Sequence, residues 1–280
     1  MAEVTAAMVA ALRKATGAGM MDCKQALAEN DGDMEAAKDW LRTKGLSGSS
    51  RAKAANDGAV EVIVDGNVGA LVELTAETDF VAKGAIFTDT VTKLTELAAA
   101  EAKEEIAALH FEGGTVEEHI TQLAAKLGEN IGLGRVVVYE APDGVIDGYK
   151  HVQNERGTIG VLVELGGVAA GDAKAKEVAH DIALHVASAA PKYVRREDVP
   201  ADVVEKERAV LEELTRNEGK PENALEKIVD GRMNGFYKDN VLIEQAFVRD
   251  AKTTVGKLVE GLGKDATVRR FVRVKVGEEA

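Results

Sequence analysis

Gly69-Ala70-Leu71-Val72-Glu73-Leu74 returns as Gly160-Val161-Leu162-Val163-Glu164-Leu165, 91 positions later. Both copies are short apolar runs of strand length. Each is preceded by a strand-like run that opens at an Asp-Gly pair, Asp57-Gly58 and Asp143-Gly144. In the first copy Asp65-Gly66-Asn67 is a turn signal between Ala59–Val64 and Val68–Thr75, which predicts a β-hairpin. A long helical pattern follows each copy, from Ile86 to Lys103 and from Asp172 to Ala189. The same elements in the same order predict a duplicated α+β body made of two hairpin-plus-helix halves.

The linkers after the two copies differ. The first, Ala76 to Gly84, carries Asp79 and Phe80; the second, Gly166 to Gly171, holds only small residues and Val168. Aromatics are only 4% of the chain, and loops on a rigid scaffold often carry binding residues. A purely structural loop does not need Phe80, since its sister manages without it. Spacing alone leaves two readings open: Phe80 packs under its own loop, or it reaches a partner.

Around this body the pattern changes twice. Residues 1–45 read as a three-helix unit with Val4, Met8, Val9 and Leu12 inside the first helix, Asp22 capping the second and Asp33 capping the third. Ser47-Gly48-Ser49-Ser50 marks a linker over 46–57. Residues 58–140 form the first core half, and 141–190 with 239–280 form the second. Residues 191–238 read as an inserted αα-hairpin turning at Gly219-Lys220-Pro221, with Val203, Val204, Val210, Leu211 and Leu214 on one apolar side and Leu225, Ile228, Val229 and Met233 on the other. Further expectations are a helix over Thr115–Leu127, a strand over Gly134–Tyr139, a short helix over Thr254–Leu262 and a final strand, Thr267–Val276, completing a sheet begun far upstream.

A net charge of −13 argues against broad nucleic-acid or anionic-membrane binding. One cysteine, Cys23, excludes an internal disulfide and fits a reducing, cytoplasmic setting. No run reaches the ~18 apolar residues of a membrane span. No phosphate-binding loop or dinucleotide fingerprint is present. His180 and His185 stand five apart and do not share a helix face, so no zinc site is expected; His185 reads as a satisfied, partly buried histidine and Cys23 as structural. Residue types alone lead to a non-enzymatic α+β protein with a loop-borne aromatic and a helical hairpin.

Specific motifs go further. Thr16-Gly17-Ala18-Gly19-Met20-Met21-Asp22-Cys23-Lys24 and Glu77-Thr78-Asp79-Phe80-Val81-Ala82 resemble the two signatures of bacterial translation elongation factor Ts. Ile182-Ala183-Leu184-His185-Val186-Ala187, Val229-Asp230-Gly231-Arg232-Met233 and Gln245-Ala246-Phe247-Val248 resemble further blocks of that family in the same order. The resemblance implies a guanine-nucleotide exchange factor for elongation factor Tu, without a cofactor of its own. It implies a three-helix, UBA-like domain that docks on the GTPase, with Leu12, Arg13, Met20 and Met21 as contacts. It implies that Thr78, Asp79, Phe80 and Val81 intrude beside the partner's nucleotide and dislodge magnesium, and that His151 reaches a second domain of the partner. It also implies a dimerisation-type hairpin; the residues leave open whether that hairpin forms a homodimer or packs on the body. Ala246 departs from the proline many relatives carry, and the extra C-terminal helix of some relatives has no counterpart here, so no contact of that helix is carried over.

Overall fold

Each copy of the repeat is the second strand of an antiparallel hairpin in the computed structural model, which describes residues 4–16, 18–44 and 57–278. The chain divides into two compact units: one within residues 1–55, with which 128–130 group, and one holding the rest. Of the expected linker over 46–57, residues 46–56, like Gly17 and Gly45, lie outside the described residues, and Asp57 already belongs to the first strand.

The first unit contains α1 (Ala6–Thr16), α2 (Met20–Glu29) and α3 (Met34–Thr43). Val9, Leu12, Ala18, Cys23, Ala26, Leu27, Ala37 and Leu41 form its core. Asp33 caps α3 as expected, its carboxylate accepting from Glu35 N and Ala36 N at 2.9 Å. Asp22 does not cap α2. The N-cap is Gly19, in extended conformation, and Asp22 falls in the first turn, where its charge still favours the positive end of the helix. Cys23 is buried, its thiol 3.8 Å from the Ala18 carbonyl.

The second unit is a mixed α+β body with antiparallel sheets. Its first half runs β1 (Asp57–Asp65), β2 (Val68–Ala76), α4 (Asp79–Ala82), α5 (Ala85–Glu101), a small ribbon of β3 (His110–Phe111) and β4 (Gly114–Thr115), α6 (Val116–Leu127) and β5 (Gly132–Glu140). Its second half begins with β6 (Gly144–Gln153), β7 (Arg156–Gly166) and α7 (Ala173–Ala189). The hairpin helices α8 (Ala201–Asn217) and α9 (Glu222–Asn240) follow, then β8 (Ala246–Phe247), β9 (Asp250–Thr254), α10 (Val255–Glu260) and β10 (Thr267–Lys275). The two sheets have strand orders β1-β2-β5 and β10-β7-β6. In each, the hairpin's second strand is central and a strand that returns after a long excursion completes the sheet.

The repeat's alternation explains the layers. Ala70, Val72 and Leu74 face the cluster that includes Phe87, Leu94 and Ile120 of α5 and α6. Val161, Val163 and Leu165 face the cluster that includes Ile182 and Val186 of α7. Leu71 and Leu162 point the other way, into a third cluster shared by the two sheets. Such doubly covered central strands read as continuous apolar runs. The repeat's leading glycines lie where the sheets approach closely: a Cβ on Gly69 would stand 2.7 Å from Ile146 Cγ2, and one on Gly160 would stand 2.8 Å from Val60 Cγ2.

The duplication extends beyond the six matching residues. Glu73 and Glu164 are both buried. The register slips opposite Glu73, where Val72 pairs Val136 but Leu74 pairs Leu133, and again opposite Glu164, where Val268 pairs Leu165 but Arg270 pairs Glu164. Both extra residues are on the returning strand, and bulges re-aim side chains. Here each bulge supplies an arginine: Arg135 Nε donates to Glu73 at 3.2 Å and Arg270 Nε donates to Glu164 at 2.6 Å.

In the helical hairpin, Leu225, Val229 and Met233 form a buried cluster with Val204 and Leu211 packed against it. Val210 and Leu214 do not join it and are exposed; Thr215 is the buried residue of α8. Leu211 and Thr215, four apart, take the face that α8 turns inward, so Val210 and Leu214, each one position earlier, are turned away from it.

Candidate functional site

The linker Ala76–Gly84 is not a loop throughout: Asp79–Ala82 forms one helical turn, α4. Thr78 is its N-cap, in extended conformation, and the Thr78 hydroxyl accepts from Val81 N at 3.4 Å. The Lys83 N–H closes the far end on the Asp79 carbonyl at 3.0 Å. Helical spacing then distributes the side chains. Ala82 is fully buried and Val81 packs against the first-half core. Phe80 points the other way and is 77% exposed, the most exposed of the large apolar side chains among the described residues. The reading in which Phe80 packs under its own loop therefore fails. Lys83 holds its ammonium 4.2 Å from the centroid of the Phe80 ring and 3.8 Å from an Asp79 oxygen. The sister linker after β7 has no helical turn, and Gly167 there takes a positive φ of 67°.

On the first unit, Val4, Ala6, Val9, Ala10, Met20 and Met21, together with the cationic Arg13 and Lys24, line a groove of about 800 Å3. Met20 is 60% and Met21 72% exposed. Flexible thioethers suit an adaptable protein interface. Leu12 does not belong with them. It is fully buried in the three-helix core, one position from exposed Arg13 in a helix, and cannot touch a partner without unfolding the unit. Helical spacing had placed it inside, and that reading wins over the contact role implied by resemblance.

His151 sits near the exposed end of β6. Its Nδ1 lies 3.0 Å from the Tyr149 hydroxyl. The Tyr149 ring meets His180 edge-on, with centroids 6.4 Å apart, and His180 Nδ1 is 3.3 Å from Asp147. Strand and helix thus link Asp147, His180 and Tyr149 in a chain of contacts that ends at His151. Sequence reading missed Lys83 and Lys24. The signal for Lys83 is positional: it stands three residues after Phe80 and four after Asp79, spacings that meet on a helix, whereas the sequence pattern there predicts a loop.

His185 is fully buried. It accepts at Nδ1 from Val248 N at 3.2 Å, so Nε2 carries the proton to Gln245 Oε1 at 2.8 Å. Burial pushes its pKa below the usual histidine value, partly opposed by the Gln245 bond. This is a satisfied core residue. Among the described residues no group of three or more His, Cys, Asp or Glu could hold a metal ion, and no helix is long and apolar enough to cross a membrane.

A three-helix unit that exposes Met20 and Met21, and a duplicated α+β body that exposes Phe80 on a capped turn, define the class of protein. The profile of the family described as Elongation factor TS matches residues 77–278. Over 99% of its length the chain is 45% identical to elongation factor Ts of Rhodospirillum rubrum, covering 94% of that protein. It is 46% identical to elongation factor Ts of Streptomyces avermitilis and 45% identical to that of Mycobacterium avium, in both cases over 99% of this chain and 100% of the relative. The chain belongs to the elongation factor Ts family.

Proposed function

We propose that this protein is a guanine-nucleotide exchange factor for elongation factor Tu, with Phe80 as a wedge that enters beside the partner's magnesium and phosphate site. The observation that carries this reading is a large aromatic held outward, 77% exposed, on a turn that is already capped and anchored. A preorganised apolar side chain loses less freedom on docking. Asp79, Thr78 and Val81 set its direction, and the groove at Arg13, Met20 and Met21 docks on the GTPase. The His151 cluster reaches a second partner domain. The exposed Val210 and Leu214, one turn apart on α8, favour a homodimer through the hairpin, which sedimentation at rising concentration tests. The chain works in the cytoplasm, needs no cofactor, performs no covalent chemistry and binds no nucleic acid directly.

The mechanism is linkage. Magnesium in a GTPase bridges the nucleotide phosphates and neutralises their charge. A wedge that displaces it weakens nucleotide binding, and by reciprocity nucleotide weakens binding of the wedge by the same factor. Exchange is therefore accelerated in both directions without choosing GTP over GDP. Each tenfold gain in release corresponds to about 1.4 kcal/mol. Phe80→Ala removes an exposed ring and should fold normally while slowing release of fluorescent GDP from elongation factor Tu by at least about tenfold, the loss of roughly one such increment. Release at the parent rate would end the wedge assignment. A rival chaperone-like role predicts binding without any change in release.

A further inference from the structure

We propose that Lys83 is a positioning residue for the wedge: its ammonium pins the Phe80 ring in the free protein so that the aromatic meets its partner already oriented. The inference rests on the exchange reading above and extends it to a residue that does the holding rather than the intruding.

Three contacts converge on Lys83. Its Nζ lies 4.2 Å from the Phe80 ring centroid, inside the ~6 Å range where a cation is attracted by an aromatic face. The same Nζ is 3.8 Å from an Asp79 oxygen, an i,i+4 pair across the single turn of α4. The Lys83 N–H bonds the Asp79 carbonyl at 3.0 Å, which fixes where the side chain starts. Only a third of the side chain is exposed. A phenyl this exposed has no apolar pocket to hold its rotamer. Among the described residues the Lys83 ammonium is the one cation over its face, and Asp79 pairs with that ammonium. Asp79, Phe80 and Lys83 thus form a unit on one turn, and Thr78 and Gly84 bound it. The Gly84 position is tight: a Cβ there would stand 3.2 Å from the Val81 carbonyl. The chain can therefore leave the turn sharply just after Lys83.

A pin of this kind acts on docking, not on the exchange step. An exposed cation–π contact corresponds to about two- to fivefold in an equilibrium. The test pairs two variants with two readouts. Lys83→Met keeps the stem and removes the charge; Lys83→Arg keeps a cation able to stack. The chain is labelled with 4-fluorophenylalanine, and the Phe80 resonance is assigned by its loss in Phe80→Ala. In the free protein, Lys83→Met should move that fluorine resonance toward its position in the urea-unfolded chain, and Lys83→Arg should return it toward the parent. In GDP release from elongation factor Tu, Lys83→Met should raise the half-saturating concentration about two- to fivefold with the plateau rate unchanged, and Lys83→Arg should restore it. An unmoved fluorine in Lys83→Met overturns the pin. A moved fluorine with unchanged half-saturation overturns its bearing on docking, a fall in the plateau rate overturns a positioning role, and failure of Lys83→Arg to restore either readout overturns the cation as the cause. The exchange reading fails separately, if Phe80→Ala releases GDP at the parent rate, because the fluorine measurement needs no partner.

Discussion

Glu73 and Glu164 are the same residue of a repeat, yet they are held differently, and that difference makes a prediction. Among the described residues Arg135 alone pairs with Glu73, whereas both Arg269, at 3.1 Å, and Arg270, at 2.6 Å, pair with Glu164. Removing one partner of a buried pair costs about 3–5 kcal/mol when the other charge is left uncompensated. Arg135→Ala leaves Glu73 without its cation and should destabilise by about 3 kcal/mol. Arg270→Ala leaves Glu164 with Arg269, and Arg270 is itself nearly half exposed, so the loss should be about 1 kcal/mol. Urea unfolding of the two variants side by side checks the order; equal losses would mean that the second arginine adds nothing. At this scale the sequence showed the glutamates but not their partners, because the arginines arrive on strands 62 and 106 residues away. Phe80 was visible as an oddity, but its outward direction depended on a helical turn of four residues, too short for periodicity to register. Leu12 was readable from its spacing alone, and only the resemblance pointed elsewhere.

Long elements were legible almost to their ends: β1, β2, α5, α6, α7 and β10 fall where alternation or helical spacing put them. The two-residue strands β3, β4 and β8 were not, since two residues carry no period. The ribbon of β8 and β9 illustrates the loss. What fixes it is His185 of α7, which accepts from Val248 N between the two strands and donates to Gln245, whose Nε2 donates to the Asp239 carbonyl near the end of α9. One neutral imidazole thus joins three elements. Protonation would place a second N–H at Nδ1, facing the Val248 N–H it now accepts. Lys238, Asp239 and Glu244 line the cavity beside it, and the Phe247 ring lies 6.0 Å from it. Because burial lowers the folded-state pKa, the unfolded chain takes up the proton first, near pH 6.5. The His185 contribution is therefore complete above about pH 6.5 and is lost as pH falls from there toward the lower folded value. The slope from one such group is at most about 1.4 kcal/mol per pH unit. Urea unfolding at pH 7.5 and 5.5 should show His185→Gln with a weaker pH dependence than the parent. Identical slopes in the two proteins would remove His185 as the sensor.

Seen as a whole, the second unit is two copies of one plan, and the visible repeat is only the part on which two cores press. Leu71 and Leu162 face the sheet-to-sheet cluster while their neighbours face helices, so both parities are constrained and similarity persists. The returning strands β5 and β10 share a bulge and an arginine but no readable stretch, since their excursions differ in length and content. The second excursion contains the helical hairpin, whose two ends are stitched together at its base. Lys192 N and Tyr193 N both donate to the Asn240 carbonyl, at 2.9 and 3.1 Å, and Leu242 N donates to the Tyr193 carbonyl at 2.8 Å. Tyr193 and Val241 form a parallel bridge there. The buried cluster of the hairpin, Leu225, Val229 and Met233, is separate from the core of the second half. Replacing residues 201–235 by a short glycine-serine linker should therefore leave a cooperative melt, shifted by no more than about 4 °C, which corresponds to roughly 1 kcal/mol in a domain of this size. Tyr237, whose carbonyl accepts from Val241 N at 2.8 Å, is retained so that the stitch keeps its last helical bond. A broad, uncooperative transition would mean that α8 and α9 support the sheets through contacts beyond the stitch, and the hairpin would then be part of the body rather than an insertion into it.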